Sequence, residues 1–267
     1  MHPVERLRHV ARVEGADPGL VAREAASAIA ALAREDPTGL LPGCRRLVER
    51  HVANGPLWWL SARVLSSPDP RDAAREAAAA LEADRTADRL AAALPDDTCV
   101  LVVGWPDLAA EALARRGDIE VLVVESGMEG HGLARRLGAD SDVALVPDRG
   151  IGAAATVAGI VLLEAGAAGP GGIVAAPGSH ASAAVARQAG VPVWAVTGVG
   201  RVLPDALWSA LLARLDGSGL EPWDRDTELV PAELIDTVVG PDGAVAAADG
   251  LAASTCPAVA ELLRPTV

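Results

Sequence analysis

The chain of 267 residues has no phenylalanine, no tyrosine and no lysine; all 23 of its basic residues are arginine, and its aromatics are six tryptophans. Alanine, glycine, arginine and valine fill the space, a bias toward GC-rich codons that carries no functional message. Positive charge is scarce against 36 acidic residues, and the formal net charge is -13. That excludes a surface for neutralising phosphates along nucleic acid, which needs clustered cations, and docking to anionic membrane. The arginine pairs Arg45-Arg46, Arg115-Arg116 and Arg135-Arg136 each fall on an expected solvated helix face. Cysteine is scarce too. Cys44, Cys99 and Cys256 are far apart, with no CxxC and no histidine at metal-ligand spacing. This points to reduced thiols in a cytoplasmic protein, with no metal site and no motif that calls for a cofactor. Long apolar runs are missing, so no membrane span is expected. The opening MHPVERLRHV has no apolar core of the kind a signal peptide needs.

What is present divides the chain in two. Residues 1–93 read as helical, four or so helices packed as a bundle. Pro18-Gly19 precedes a helix over roughly 20–35 with apolar residues at helical spacing. Asp36-Pro37-Thr38-Gly39 ends it, a second helix runs over about 42–53, and Asn54-Gly55-Pro56 leads into Leu57–Leu65. Ser67-Pro68-Asp69-Pro70 then opens one long alanine-rich helix over 70–93, with proline after a capping residue. Leu94-Pro95-Asp96-Asp97 is the boundary, and 94–267 reads as a Rossmann-like domain.

Beyond that boundary the period changes. Apolar β runs at Thr98–Val103, Ile119–Val124, Asp142–Val146, Gly159–Glu164 and Val191–Val196 alternate with helices of roughly ten residues near 107–116, 129–137 and 148–156. Such alternation demands crossover connections, hence a mainly parallel sheet and an α/β fold. Residues 229–239 read as an extended tail with a short helical turn at Pro231, ending in Pro241-Asp242-Gly243; 216–227 is the most loop-like stretch, and a helix over 257–263 closes the chain.

The stretch 171–204 organises the second half. Gly171-Gly172 break the chain, and Pro177-Gly178-Ser179-His180 open a helix that Ser179 is expected to cap. Gly190 stands where a left-handed C-terminal residue belongs, and Val191–Val196 is the next strand. Ligands of doubly wound sheets bind at the carboxyl ends of the strands. That rule selects Gly104, Trp105, Glu125, Gly178, Ser179 and Arg201 as ligand-binding candidates.

Four stretches together resemble the superfamily of translation initiation factor 2B alpha, beta and delta subunits, which also contains methylthioribose-1-phosphate and ribose-1,5-bisphosphate isomerases. Val123-Val124-Glu125-Ser126 with Leu133-Ala134-Arg135-Arg136-Leu137 is similar to the strand ending in Glu-Ser-Arg-Pro and its helix. Ile160–Leu163 through Gly171–Val174 is similar to the strand and turn bearing Gly-Ala-Asp and Asn-Gly. Gly178-Ser179 through Val191-Pro192-Val193 resembles the Gly-Thr helix and Val-Pro strand, and Glu228–Val239 resembles the closing Asp-x-x-Pro-x-x-x-Ile segment. The match covers most of 95–245 and implies a helical domain followed by a Rossmann-like one, dimerising through the latter.

The same resemblance marks what has changed. The superfamily's isomerases use a cysteine as acid/base and an aspartate to move a proton between sugar carbons. Here the cysteine's loop reads Gly104-Trp105-Pro106, and Cys99 lies at the opposite end of its strand. The Gly-Ala-Asp position reads Glu164-Ala165-Gly166, which sets Glu164 two positions before the aspartate; the phosphate-binding Asn-Lys reads Ala175-Ala176, and the arginine of Glu-Ser-Arg-Pro is Gly127. An aldose–ketose shift needs two proton-transfer groups and cations for the phosphate. The resemblance therefore implies a non-catalytic binding or regulatory module on an isomerase scaffold, with a small phosphorylated metabolite as its ligand class. The alternative is a divergent sugar-phosphate isomerase working through Glu164 or His180.

Other constellations have plainer readings. Ser179 and His180 are adjacent on a helix and face apart. Gly198-Val199-Gly200-Arg201 offers backbone amides and one cation to a phosphate but lacks GxGxxG. His131 is a loop histidine at a helix start, Trp58-Trp59 fit packing, and Cys99, in an apolar strand, is expected to be inert.

Overall fold

The computed structural model of the chain describes residues 18–127, 129–138 and 142–264; the opening segment MHPVERLRHV lies outside them. Five helices come first: α1 (Pro18–Glu35), α2 (Leu40–Arg50), α3 (Gly55–Ser66), α4 (Pro70–Glu82) and α5 (Thr86–Ala93). On α1, Val21, Ala22, Ala25, Ile29 and Leu32 recur every three to four residues and are buried. Asn54 caps α3 by accepting from the Leu57 amide at 3.0 Å, and Asp69 caps α4 in the same way through Asp72 at 3.0 Å.

The single helix expected over 70–93 is two helices. Asp84 explains the break: its Oδ1 accepts from the Thr86 amide at 2.8 Å and the Thr86 hydroxyl at 2.6 Å. This local turn, one residue before the N-cap Arg85, separates the two helices. α5 then leaves the other four, and its Ala87 and Leu90 belong to a core shared with Val100, Val102 and Val239 of the sheet.

The α/β part is built on a sheet of seven strands in the order β10-β9-β7-β4-β1-β2-β3. The strands are β1 (Cys99–Val103), β2 (Glu120–Val124), β3 (Val143–Val146), β4 (Ile160–Glu164), β7 (Val193–Val196), β9 (Thr237–Gly240) and β10 (Gly243–Ala246). All adjacent pairs run parallel except β9–β10, a hairpin through Pro241-Asp242. The α/β class and the mainly parallel sheet are therefore as the sequence predicts. Side chains alternate between two cores. Leu101, Val103, Val161 and Leu163 face one, beneath α8 (Ile151–Val157), α9 (Ser179–Ala189) and α11 (Ala247–Ala252). Val100, Val102, Ile160 and Leu162 face the other, beneath α5, α6 (Asp107–Leu113) and α7 (Glu129–Leu137).

Two expectations are corrected here, and one further helix is added. The break at Gly171-Gly172 is the tight end of a hairpin: β5 (Ala167–Gly169) and β6 (Gly172–Ala175) pair antiparallel, and β8 (Glu228–Pro231) joins them as a second sheet. The stretch before 216 holds a full helix, α10 (Asp205–Asp216), which buries Leu207, Trp208 and Leu211 against the bundle. At the far end only a single turn forms, over Ala260–Leu262. The Arg45 and Arg214 guanidiniums donate to the Glu261 and Leu262 carbonyls, at 2.8 Å each, taking acceptors that a longer helix would use.

Bundle and sheet meet backbone to backbone. The Gly55 amide donates to the Gly166 carbonyl at 2.8 Å. A Cβ on Gly55 would lie 2.9 Å from Arg201 Cα and 3.0 Å from the Gly166 carbonyl oxygen, and one on Gly200 would meet the Trp59 ring at 3.0 Å. Replacing Gly55 with alanine is expected to cost about 1–3 kcal/mol in urea unfolding, since neither backbone can yield. The Gly152→Ala control, with nothing near its added Cβ, is expected to be neutral or stabilising.

Candidate functional site

The strand order reverses at β1: the chain moves from β1 to β2 and β3 on one side, and through β4, β7 and β9 on the other. A doubly wound sheet opens a crevice at that switch point, outside the carboxyl ends of the strands. A cavity of about 120 Å³ lies there. The loop after β1 contributes Trp105 and Asp107, the end of β4 contributes Glu164 and Gly166, and the turn between β6 and α9 contributes Ala176 and Ser179. Glu129 from α7, Arg201 from the loop after β7, and Pro18 complete most of the wall.

Arg201 and Glu164 form the floor. Their side chains are 3% and 7% exposed, and the guanidinium Nη1 donates to Glu164 Oε1 at 2.8 Å and to the Ala165 carbonyl at 2.6 Å. Glu164 Oε2 accepts from the Ala109 amide, in the first turn of α6, at 3.0 Å, a favourable place for a carboxylate. Both oxygens of Glu164 are thus committed. The loop carrying Arg201 is committed as well. Its Val199 amide donates to Asp84 Oδ2 at 2.8 Å, and the Arg201 amide donates to the Gly198 carbonyl at 3.1 Å. Asp84 therefore both precedes α5 and holds the cavity's edge, and the Val199 and Arg201 amides are spent within the protein.

Trp105 is 37% exposed and lies flat on α7, where a Cβ on Gly132 would sit 2.3 Å from its ring. Gly104 turns the chain with a positive φ of 67°; a Cβ there would lie 3.3 Å from Glu129 Oε2 and 3.7 Å from Ala176 Cβ. Ser126, at the end of β2, also has a positive φ, 41°. Its amide donates to Asp148 Oδ1 at 2.8 Å and its hydroxyl to the Pro177 carbonyl at 2.9 Å, which hold this unfavourable backbone in place.

The expected cap of α9 is also corrected. Gly178, at φ 95°, occupies the capping position, and Ser179 begins the helix with its side chain 1% exposed toward the cavity. The first-turn amides are instead served from β8: Glu228 Oε1 accepts from the His180 amide at 2.6 Å. His180 itself is exposed and does not line the cavity. Gly190 ends α9 with the left-handed φ of 75° that its position in the sequence predicts.

The structure therefore brings Trp105, Glu164, Ser179 and Arg201 together around one cavity, with Gly104 beside it. Glu125 stands apart, half-buried, with its Oε1 3.7 Å from His131 Nε2. Cys99 lies at the amino end of β1, its thiol pushed up to about 11, first by burial and then by the Glu120 carboxylate. Burial likewise pushes Cys44 and Cys256 to about 12, so none of the three is a thiolate at neutral pH. Trp58 and Trp59 are buried in the bundle core. Asp107 and Glu129 were not among the sequence candidates. Each stands in the first turn of a helix that follows a strand end, and that position is the signal that finds them. The wall carries three carboxylates and one guanidinium, which is itself ion-paired.

Fold and site together define a helical bundle fused to a doubly wound α/β domain with a cleft at its switch point. The same architecture is found in solved translation initiation factor 2B structures. The Pyrococcus horikoshii OT3 factor eIF-2B superposes with a TM-score of 0.73 at 17% identity, covering 91% of this chain and 96% of that one. eIF2B beta from Chaetomium thermophilum gives 0.69 at 15%, covering 92% and 87%. A chain of the tetrameric eIF2B beta2-delta2 complex from C. thermophilum gives 0.71 at 15%, covering 93% and 92%. The chain has the initiation factor 2B fold. No protein-family model and no curated protein matches it.

The buried pair gives a direct expectation. Arg201→Met leaves Glu164 without its guanidinium in a nearly closed site and is expected to cost about 3–5 kcal/mol in chemical denaturation. The double variant Glu164→Leu/Arg201→Met, with neither charge, is expected to be more stable than Arg201→Met alone.

Proposed function

We propose that the chain is an initiation-factor-2B-like protein that works as a non-catalytic binding or regulatory module on the scaffold of the sugar-phosphate isomerases. One observation carries the reading. Glu164, the carboxylate two positions before the place where those isomerases keep their aspartate, has one oxygen on Arg201 and the other on the Ala109 amide. A proton shuttle needs a base within reach of substrate and a second group to return the proton. The remaining candidates support this reading: His180 lies outside the cavity, and Cys99 lies at the far end of its strand with its thiol raised to about 11.

A small phosphorylated metabolite is the ligand class that the scaffold suggests. Three carboxylates on the wall, against one paired guanidinium, argue for a weak grip on any such anion. The solved tetrameric eIF2B beta2-delta2 complex supports an assembling role, and we infer a cytoplasmic homodimer joined through the Rossmann-like half. Among the described residues no helix is long and apolar enough to cross a membrane.

Purified protein is expected to show no turnover of ribose-1,5-bisphosphate or methylthioribose-1-phosphate. Turnover that disappears in Glu164→Gln would favour the divergent isomerase instead. In multi-angle light scattering the mass is expected near twice the 27.1 kDa of one chain; a monomer at micromolar concentration would remove the dimer.

A further inference from the structure

We propose that the loop 217–227, between α10 and β8, is a docking surface for a basic protein segment with an apolar ridge, which seats on Trp223 and Leu220. Trp223 is 79% exposed and Leu220 53%. The other tryptophans are used differently: Trp58, Trp59 and Trp208 are buried, Trp194 is half-buried and Trp105 lines the cleft. In a chain without phenylalanine or tyrosine, a tryptophan turned to solvent is a large apolar area left uncovered, and tryptophan is enriched where partners bind.

The loop presents these side chains on a set framework. Arg225 reaches back across it, with Nε donating to the Leu220 carbonyl at 3.4 Å and Nη1 to Asp216 Oδ1 at 3.3 Å. The Asp224 amide closes a turn onto the Glu221 carbonyl at 3.0 Å. Order of this kind lowers the entropy lost on binding.

Charge selects the occupant. Asp216, Glu221, Asp224, Asp226 and Glu228 crowd this stretch, and its one cation, Arg225, is paired with Asp216. A second copy would set acid against acid, in a chain whose net charge is already -13, and an anionic membrane is repelled in the same way. A basic segment gains attraction around the rim while its apolar side chains cover Trp223 and Leu220.

The test uses the whole protein and a 14-residue leucine/lysine peptide with its leucines on one helical face. Fluorescence titration is expected to show saturable binding that weakens with salt. Trp223→Ala/Leu220→Ser is expected to weaken it at least tenfold. Glu221→Gln/Asp224→Asn/Asp226→Asn is expected to weaken it comparably and to flatten the salt dependence. Neutralising three remote acids (Glu24→Gln, Glu82→Gln, Asp249→Asn) is expected to change affinity less than twofold. Three results would each overturn the proposal: no binding by the unaltered protein, equal loss from the remote variant, or a fall in oligomeric mass on Trp223→Ala/Leu220→Ser. The last would mean that a second copy covers this face.

Discussion

Among the described residues, one deeply buried ion pair forms the floor of the cleft, beside the point where the bundle meets the sheet. Arg201 and Glu164 are nearly closed to solvent, and each is bound to more than the other: Arg201 to the Ala165 carbonyl, Glu164 to the Ala109 amide. Around them the backbones of bundle and sheet come together at glycines, because side chains there would collide. Burying two charges is costly, and a pair this deep survives only where its hydrogen bonds are nearly complete. The cost is met by geometry that also fixes the cleft. Glu164 and Arg201 are used as structure.

On the reading proposed above, a scaffold is kept while its chemistry is given up. The strand order, the crevice and the loops at the strand ends follow from packing and from the hand of the crossovers. None of them requires a particular acid or base. Replacing a catalytic side chain by one that satisfies its neighbours removes a strained, unsatisfied group from the site and leaves the fold intact.

Much of the fold was legible, and for physical reasons. The parallel strands are runs such as Cys99–Val103 and Ile160–Glu164, apolar on both faces because helices cover both sides of the sheet. The misreadings share a cause as well. β5 and β6 are three and four residues of mostly alanine, glycine and valine, too short to show a period. The break at Asp84 lies inside an alanine-rich stretch whose composition favours helix on either side, and only the Asp84 carboxylate on the Thr86 amide marks it. In the site, the strand-end rule reached Trp105, Ser179 and Arg201, and the family resemblance pointed to Glu164. The rule passed over Asp107 and Glu129, which enter the cleft from helix starts, and it took in Glu125, which sits beside the cleft without lining it.

β3 closes one side of the large sheet, and among the described residues nothing pairs with its outer rim. Its open amides and carbonyls would welcome a stray strand from another molecule, and Leu145 adds an apolar side chain there. Two features limit that hazard. The segment is only four residues long, and Pro147, which follows it directly, has no N–H to extend the ladder. A growing fibril would find almost no purchase on this border. The protein thus carries an unfinished margin at little risk of self-association.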